Sequence, residues 1–224
     1  MPVSHVFLDI DDTLFPTSEF AALARKNALR SMIELGLPFN DSDELYTRLL
    51  AIIKKRGSND PHHFDALLRE LDIKNPARFI AAAVAAYHNA KASILPYPDV
   101  PRTLLQLREN GYQLYVATNG NAIKQWDKLI RLGVALYFEE VFVSDEIGIE
   151  KSKPFFKKVL TRLKVEPSSC IMIGDKEAFD TGPAKESGMH ALLVRRDKNI
   201  KINPTRVSYV ISDFSHLLEI LKKL

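Results

Sequence analysis

The chain has 224 residues, 46% of them hydrophobic and 26% charged, a composition that fits one large globular domain or a domain carrying an insert. Its formal net charge of +3 suits an anionic substrate and demands no nucleic-acid partner. Cys170 is the single cysteine, which excludes an intrachain disulfide, and no apolar stretch reaches the length of a bilayer span. We therefore expect no membrane partner and a cytoplasmic setting.

The first predicted element is a buried strand over residues 3–9. From about residue 17 to 91 the pattern is only helical. The predicted helices are "SEFAALARKNALRSMIELG", "SDELYTRLLAIIKKRG", "PHHFDALLRELD" and "PARFIAAAVAAYHNAK".

Beyond "LPYPDV" the pattern alternates between helices and strands. The predicted strands are "YQLYVATNG", "EVFVSD", "SCIMIGD" and "HALLVR". The predicted helices are "RTLLQLRENG", "AIKQWDKLIRLG", "KPFFKKVLTRLK", "GPAKESG" and "DFSHLLEILKKL". Trp126, Phe155 and Phe156 fit helix faces that pack on the sheet.

This order predicts an α/β fold: a Rossmann-like parallel sheet covered by helices on both faces. The core comprises residues 1–16 and 93–224, and a helical-bundle insert comprises residues 17–92. Two short connections join the insert to the core, as expected for a hinged lid that excludes water and selects substrates.

Polar residues follow several of the predicted strands. In an open parallel sheet, ligands bind at the carboxyl ends of the strands, so these residues should meet at one edge. They are Asp9, Asp11, Thr118, Asn119, Asp175 and Asp180.

Carboxylates gathered at one edge repel each other unless a cation lies between them. Oxygen ligands suit Mg²⁺, which also accepts phosphate oxygens from a substrate. The sequence therefore predicts a magnesium site. Each acidic strand end taken alone is more often an ordinary turn.

The Asp9-x-Asp11 spacing places two carboxylates on the same side of the chain. One can act as a nucleophile and the other as a general acid/base. Thr118, Asn119 and a lysine near residue 151 would then hold the oxygens of a transferred phosphoryl group.

Four ordered segments, "DIDDTL", "VATNG", "EKSKP" and "IGDKEAFDTGPAKESG", resemble the motifs of the haloacid dehalogenase superfamily. The likeness covers essentially the whole core. The insert resembles the cap of the phosphoglycolate-phosphatase-like branch. The segments "GSNDPHHFDALLRELD" and "AYHNAK" resemble archaeal glyceraldehyde 3-phosphate phosphatases.

The resemblance implies a role for each motif residue. Asp9 attacks phosphorus and becomes an aspartyl-phosphate, and Asp11 protonates the leaving alcohol and then activates water. Mg²⁺ binds Asp9, Asp175 and the backbone carbonyl of Asp11, and Asp180 supports this metal shell.

Thr118, Asn119 and Lys151 bind the phosphoryl group in this scheme. The third motif departs from the family pattern, because "EKSKPFF" is one residue shorter than usual. Lys151 has the better spacing to Asp175, whereas Lys153 forms the literal Lys-Pro pair, and we favour Lys151.

The implied activity is Mg²⁺-dependent hydrolysis of a small phosphorylated metabolite by a monomer or homodimer. A haloacid dehalogenase needs no second carboxylate at Asp11, so that residue favours a phosphatase. A phosphomutase retains both carboxylates and stays an alternative. A phospho-accepting signalling domain would be far shorter, and a catalytically silent phosphate-binding protein is the non-enzymatic alternative.

Overall fold

The computed structural model describes residues 2–196 and 209–224. Six parallel strands form one sheet in the order β3-β2-β1-β4-β5-β6. The strands are β1 (His5–Leu8), β2 (Gln113–Thr118), β3 (Glu140–Val143), β4 (Cys170–Gly174), β5 (His190–Val194) and β6 (Tyr209–Ile211). The α/β parallel-sheet prediction is confirmed. The short edge strand β6 was not predicted.

Ten α-helices accompany the strands in the described residues. They are α1 (Thr17–Glu34), α2 (Ser42–Arg56), α3 (His63–Glu70), α4 (Ala77–Lys91), α5 (Val100–Glu109), α6 (Ala122–Arg131), α7 (Ser144–Ile147), α8 (Lys153–Leu163), α9 (Gly182–Glu186) and α10 (Leu217–Leu221). None of the helices in residues 2–196 and 209–224 combines the length and apolarity that a membrane span requires.

The chain divides into two compact units. The first comprises residues 1–16 and 95–224, and the second comprises residues 17–94.

The first unit is built on the sheet. Phe7, Tyr115 and Phe142 project from three neighbouring strands into one cluster, where Phe155 and Phe156 of α8 cover them. Continuous apolar strands buried in this way are typical of a parallel sheet with helices on its faces.

The second unit has a hydrophobic core of its own. Its four helices are α1 to α4, of which α1 and α4 pack along each other. The buried side chains include Leu29, Met32, Leu45, Leu49, Leu67 and Phe79. Asp41 caps α2 by accepting hydrogen bonds from the backbone N–H groups of Asp43 and Glu44.

The two ends of the first unit that flank the insert lie side by side. The backbone N–H of Tyr97 donates to the carbonyl of Leu14 over 2.9 Å. Arg196 reinforces this junction, because its guanidinium donates to both carboxylate oxygens of Asp99 and to the carbonyl of Thr13.

Because these ends adjoin, a short linker can replace the insert without stretching the chain. We expect a variant with residues 17–94 replaced by a Gly/Ser linker to keep a cooperative thermal transition by circular dichroism. The isolated segment 17–94 serves as the complementary control. A core variant that melts without cooperativity would contradict this expectation.

Candidate active site

The carboxyl ends of three neighbouring strands bring the polar residues together. Leu8, the last residue of β1, pairs with Val116 of β2 and with Ile173 of β4, so β4 continues for one residue and β2 for two residues beyond the end of β1. The next residue after Leu8 is Asp9, whose backbone N–H donates to the carbonyl of Ile173 over 2.9 Å.

Asp9 and Lys151 form a buried ion pair, each with 4% of its surface exposed. The Nζ atom of Lys151 lies 2.8 Å from Asp9 Oδ1 and also pairs with Asp180. Burial raises the pKa of Asp9 to about 6, while the charge of Lys151 counteracts the shift. Burial disfavours the charged form of Lys151, but the negative charges of Asp180 and Asp9 have the larger effect, so the Lys151 pKa is raised.

Lys153 lies elsewhere. It is exposed at the first position of α8, two residues beyond the buried lysine. Of the two candidate lysines, the structure therefore brings Lys151 to Asp9.

Three carboxylates fit a divalent cation. Asp9, Asp175 and Asp180 each offer an oxygen, and these atoms lie within 4.8 Å of one another. Burial and the nearby Asp9 charge raise the pKa of Asp175 to about 7. Its Oδ1 atom is buried and accepts no hydrogen bond from the described residues. An unsatisfied oxygen in a cluster of oxygens is what a hard cation such as Mg²⁺ would bind.

Asp180 is completely buried because the backbone bends sharply around it. A single π-helical turn over Glu177–Thr181 follows β4, and Asp180 Oδ2 accepts a hydrogen bond of 2.9 Å from the backbone N–H of Lys176. Gly174 makes room for this arrangement, since a Cβ at that position would overlap the Asp180 carboxylate.

The predicted phosphate-binding residues lie at the end of β2. Thr118 is 1% exposed. Asn119 Oδ1 accepts a hydrogen bond of 2.7 Å from the backbone N–H of Lys151, so it fixes the loop that carries the lysine. The Gly120 N–H donates to Ser144 Oγ over 3.0 Å, which joins this turn to the end of β3.

The Asp11 side chain is directed to α6 rather than to the three-carboxylate cluster. Its Oδ1 lies 2.5 Å from Lys128 Nζ, and its Oδ2 lies 3.3 Å from Gln125 Nε2. Sequence reasoning missed both partners.

The signal for them was the pattern of α6. Gln125 and Lys128 lie three residues apart on the inward face, while Ile123 and Ile130 are 79% and 66% exposed. Trp126, which was expected to pack on the sheet, stays 38% exposed, whereas Phe155 and Phe156 are fully buried.

The chain matches a known protein family over most of its length. The profile of a family of hydrolases described as haloacid dehalogenase-like matches residues 3–188. The chain belongs to the haloacid dehalogenase-like hydrolase family.

Individual members of the haloacid dehalogenase-like family match over almost their full lengths. The glyceraldehyde 3-phosphate phosphatase of Methanopyrus kandleri is 44% identical, over 99% of this chain and 98% of that protein. The enzyme of the same name from Pyrococcus furiosus is 42% identical, over 99% and 94%. A crystal structure of a phosphatase of this family from Thermococcus onnurineus is 27% identical, with a TM-score of 0.72 over 99% of this chain and 98% of that one.

Gly174 gives a test of the cluster. Gly174→Ala would push the Asp180 carboxylate away from Lys151 and from the backbone of Lys176. We expect a lower melting temperature and weaker Mg²⁺ binding by isothermal titration calorimetry, because one buried charge loses its partners. Gly111→Ala is the matched control. Gly111 has open space around it, so an alanine there would lower the stability only through its unfavourable backbone φ of +85°. Equal Mg²⁺ affinity in the two variants would contradict the assignment.

The raised pKa of Asp175 predicts a pH-dependent response to metal. In metal-free protein its pKa rises from 3.8 to about 7, so folding favours the neutral carboxyl. Stability from this group is complete below about pH 4 and is lost as the pH rises through about 7. A bound cation replaces the proton.

We therefore expect excess Mg²⁺ to raise the melting temperature more at pH 8 than at pH 5 in scanning fluorimetry, with EDTA as the metal-free reference. Asp175→Asn should remove most of this difference, whereas Asp43→Asn on the exposed start of α2 should keep it. A larger Mg²⁺ effect at pH 5 would refute the prediction.

Proposed function

We propose that this protein is a Mg²⁺-dependent phosphatase of small phosphomonoesters that works through an aspartyl-phosphate on Asp9. The observation that carries the proposal is the burial of Asp9 at the strand ends, where it pairs with Lys151 and forms one cluster with the carboxylates of Asp175 and Asp180. A carboxylate held there by a fixed ammonium is oriented for attack on an electrophile that arrives at the strand ends.

Each chain residue has a defined part in the proposed reaction. Asp9 attacks phosphorus, and Lys151 neutralises charge on the transferred phosphoryl group. The hydroxyl of Thr118 and the amide of Asn119 bind phosphoryl oxygens. Asp11 gives a proton to the leaving alcohol and later takes one from the water that hydrolyses the aspartyl-phosphate.

Asp9, Asp175 and the backbone carbonyl of Asp11 would hold Mg²⁺, and Asp180 would support that site by positioning Lys151. The cation supplies positive charge that offsets the charge on the phosphoryl oxygens. Asp175 presents its unsatisfied oxygen for this purpose, and the Arg195 guanidinium donates to the Asp175 carbonyl and fixes the turn.

Glyceraldehyde 3-phosphate is the substrate we propose. The support is the 44% and 42% identity, over almost the entire chain, to proteins named glyceraldehyde 3-phosphate phosphatases. These alignments span residues 17–94 as well as the core, and we propose that this insert carries the choice among phosphate esters.

The metal requirement is tested by phosphate release. Purified protein should release phosphate from glyceraldehyde 3-phosphate with Mg²⁺, stop after exhaustive chelation and recover when Mg²⁺ is restored. Phosphoglycolate and 4-nitrophenyl phosphate are the comparison esters. Turnover that survives chelation would rule out the metal role.

The first two carboxylates should have separable effects. Asp9→Asn should abolish turnover of every ester, because an amide cannot attack phosphorus and Asp180, the other carboxylate beside Lys151, is completely buried. Asp11→Asn should lower turnover of alkyl esters by about 10²–10⁴-fold, the usual value of general acid/base catalysis. Trapping with radiolabelled phosphate should label the wild type and not Asp9→Asn, and label on Asp9→Asn would contradict the covalent route.

A further inference from the structure

Two side chains of helix α6 contact the two carboxylate oxygens of Asp11. Lys128 Nζ is 2.5 Å from Oδ1, and Gln125 Nε2 is 3.3 Å from Oδ2. The Asp11 and Lys128 side chains are only 23% and 18% exposed, so solvent screens this ion pair less than a surface pair. Both contacts direct the carboxylate toward α6.

Gln125 connects the Asp11 carboxylate to the turn at the end of β2 that carries Thr118 and Asn119. Its Nε2 atom donates to the Asn119 carbonyl over 2.5 Å and lies 3.1 Å from Thr118 Oγ1. The side chain is 3% exposed, so it has little freedom to move. Gly120 has a φ of +130°, and a Cβ there would lie 2.9 Å from Gln125 Nε2. The glycine at position 120 therefore leaves room for the Gln125 side chain beside this turn.

We propose that Lys128 is a positioning residue that acts through Asp11 when the leaving alcohol is protonated. The inference rests on the proposed phosphatase function. In that step the Asp9 oxygen forms a bond to phosphorus, and the ester P–O bond breaks. Asp11 enters the step as the neutral acid, gives its proton to the departing oxygen and ends as the carboxylate paired with Lys128. The negative charge left on Asp11 develops beside the Lys128 ammonium, which stabilises it.

The effect of such a residue on the rate depends on the leaving group of the ester. An alkoxide is a strong base and departs only with a proton. The 4-nitrophenolate anion is a weak base and departs without one. A residue that works through the acid affects alkyl esters, whereas a residue that binds phosphate or supports the fold affects both esters alike.

The test is the kcat/KM of Lys128→Met with glyceraldehyde 3-phosphate and with 4-nitrophenyl phosphate. This ratio reports the steps up to transfer of phosphate to Asp9, so later hydrolysis does not enter. We expect a loss of about 10- to 100-fold on the alkyl ester, within the range for misplaced general acids, and less than about threefold on the aryl ester. Lys124→Met, on the same helix and exposed, should keep both values.

A double-mutant cycle separates action through Asp11 from independent action. Adding Lys128→Met to Asp11→Asn should change kcat/KM for the alkyl ester by less than about threefold, because the acid is already absent. Thermal melts verify folding, and Lys128→Gln replaces Lys128→Met if the latter does not fold.

Equal losses on both esters, no loss on either, or an undiminished loss in the Asp11→Asn background would each overturn the role of Lys128. In those cases the wild type still hydrolyses both esters, and the proposed function stands. A wild type that releases phosphate from neither ester with Mg²⁺ would overturn the function and this inference together.

Discussion

The ammonium of Lys151 is the interaction on which the site depends. This group pairs with both Asp9 and Asp180, and Lys151 as a whole is only 4% exposed. The backbone N–H of Lys151 donates a hydrogen bond to Asn119. Removing one member of a buried charge set leaves an uncompensated charge, which typically costs about 3–5 kcal/mol. Lys151 therefore stabilises the acidic strand ends and also fixes their relative positions.

The loop that carries Lys151 is itself positioned by the end of strand β2 and by helix α8. Asn119 at the end of β2 binds its backbone, and α8 begins two residues later with Ser152 as its N-cap. Phe155 and Phe156 then anchor α8 on the strands. The packing of α8 on the sheet therefore helps to set the distance between Lys151 and Asp9.

The sheet and most of the candidate site could be predicted from the sequence, because both depend on local patterns. Buried parallel strands read as apolar runs, and a polar residue directly after such a run must lie at the ligand-binding edge. Asp9, Thr118 and Asp175 were found by this rule alone. The choice of Lys151 over Lys153 needed the spacing of the family motifs as well.

Other features depend on three-dimensional context that local patterns indicate only weakly. Gln125 and Lys128 were missed because the amphipathic rule expects apolar residues on the inward face of a helix, whereas in α6 Ile123 and Ile130 are exposed and Gln125 is buried along with Leu129. Strand β6 has only three residues and is partly exposed, so it lacks the apolar run of the other strands.

The balance of charge explains why a cation and a phosphate ester suit the same site. Five carboxylates, those of Asp9, Asp11, Asp12, Asp175 and Asp180, interact with one another or with three ammonium groups, those of Lys128, Lys151 and Lys176. With every group charged, two negative charges remain. A phosphate dianion would be repelled by that excess, whereas one divalent cation cancels it. Under the proposed function, the acidic cluster would make binding of the substrate conditional on the metal, and the lysines would reduce the excess negative charge to what a single divalent ion can neutralise.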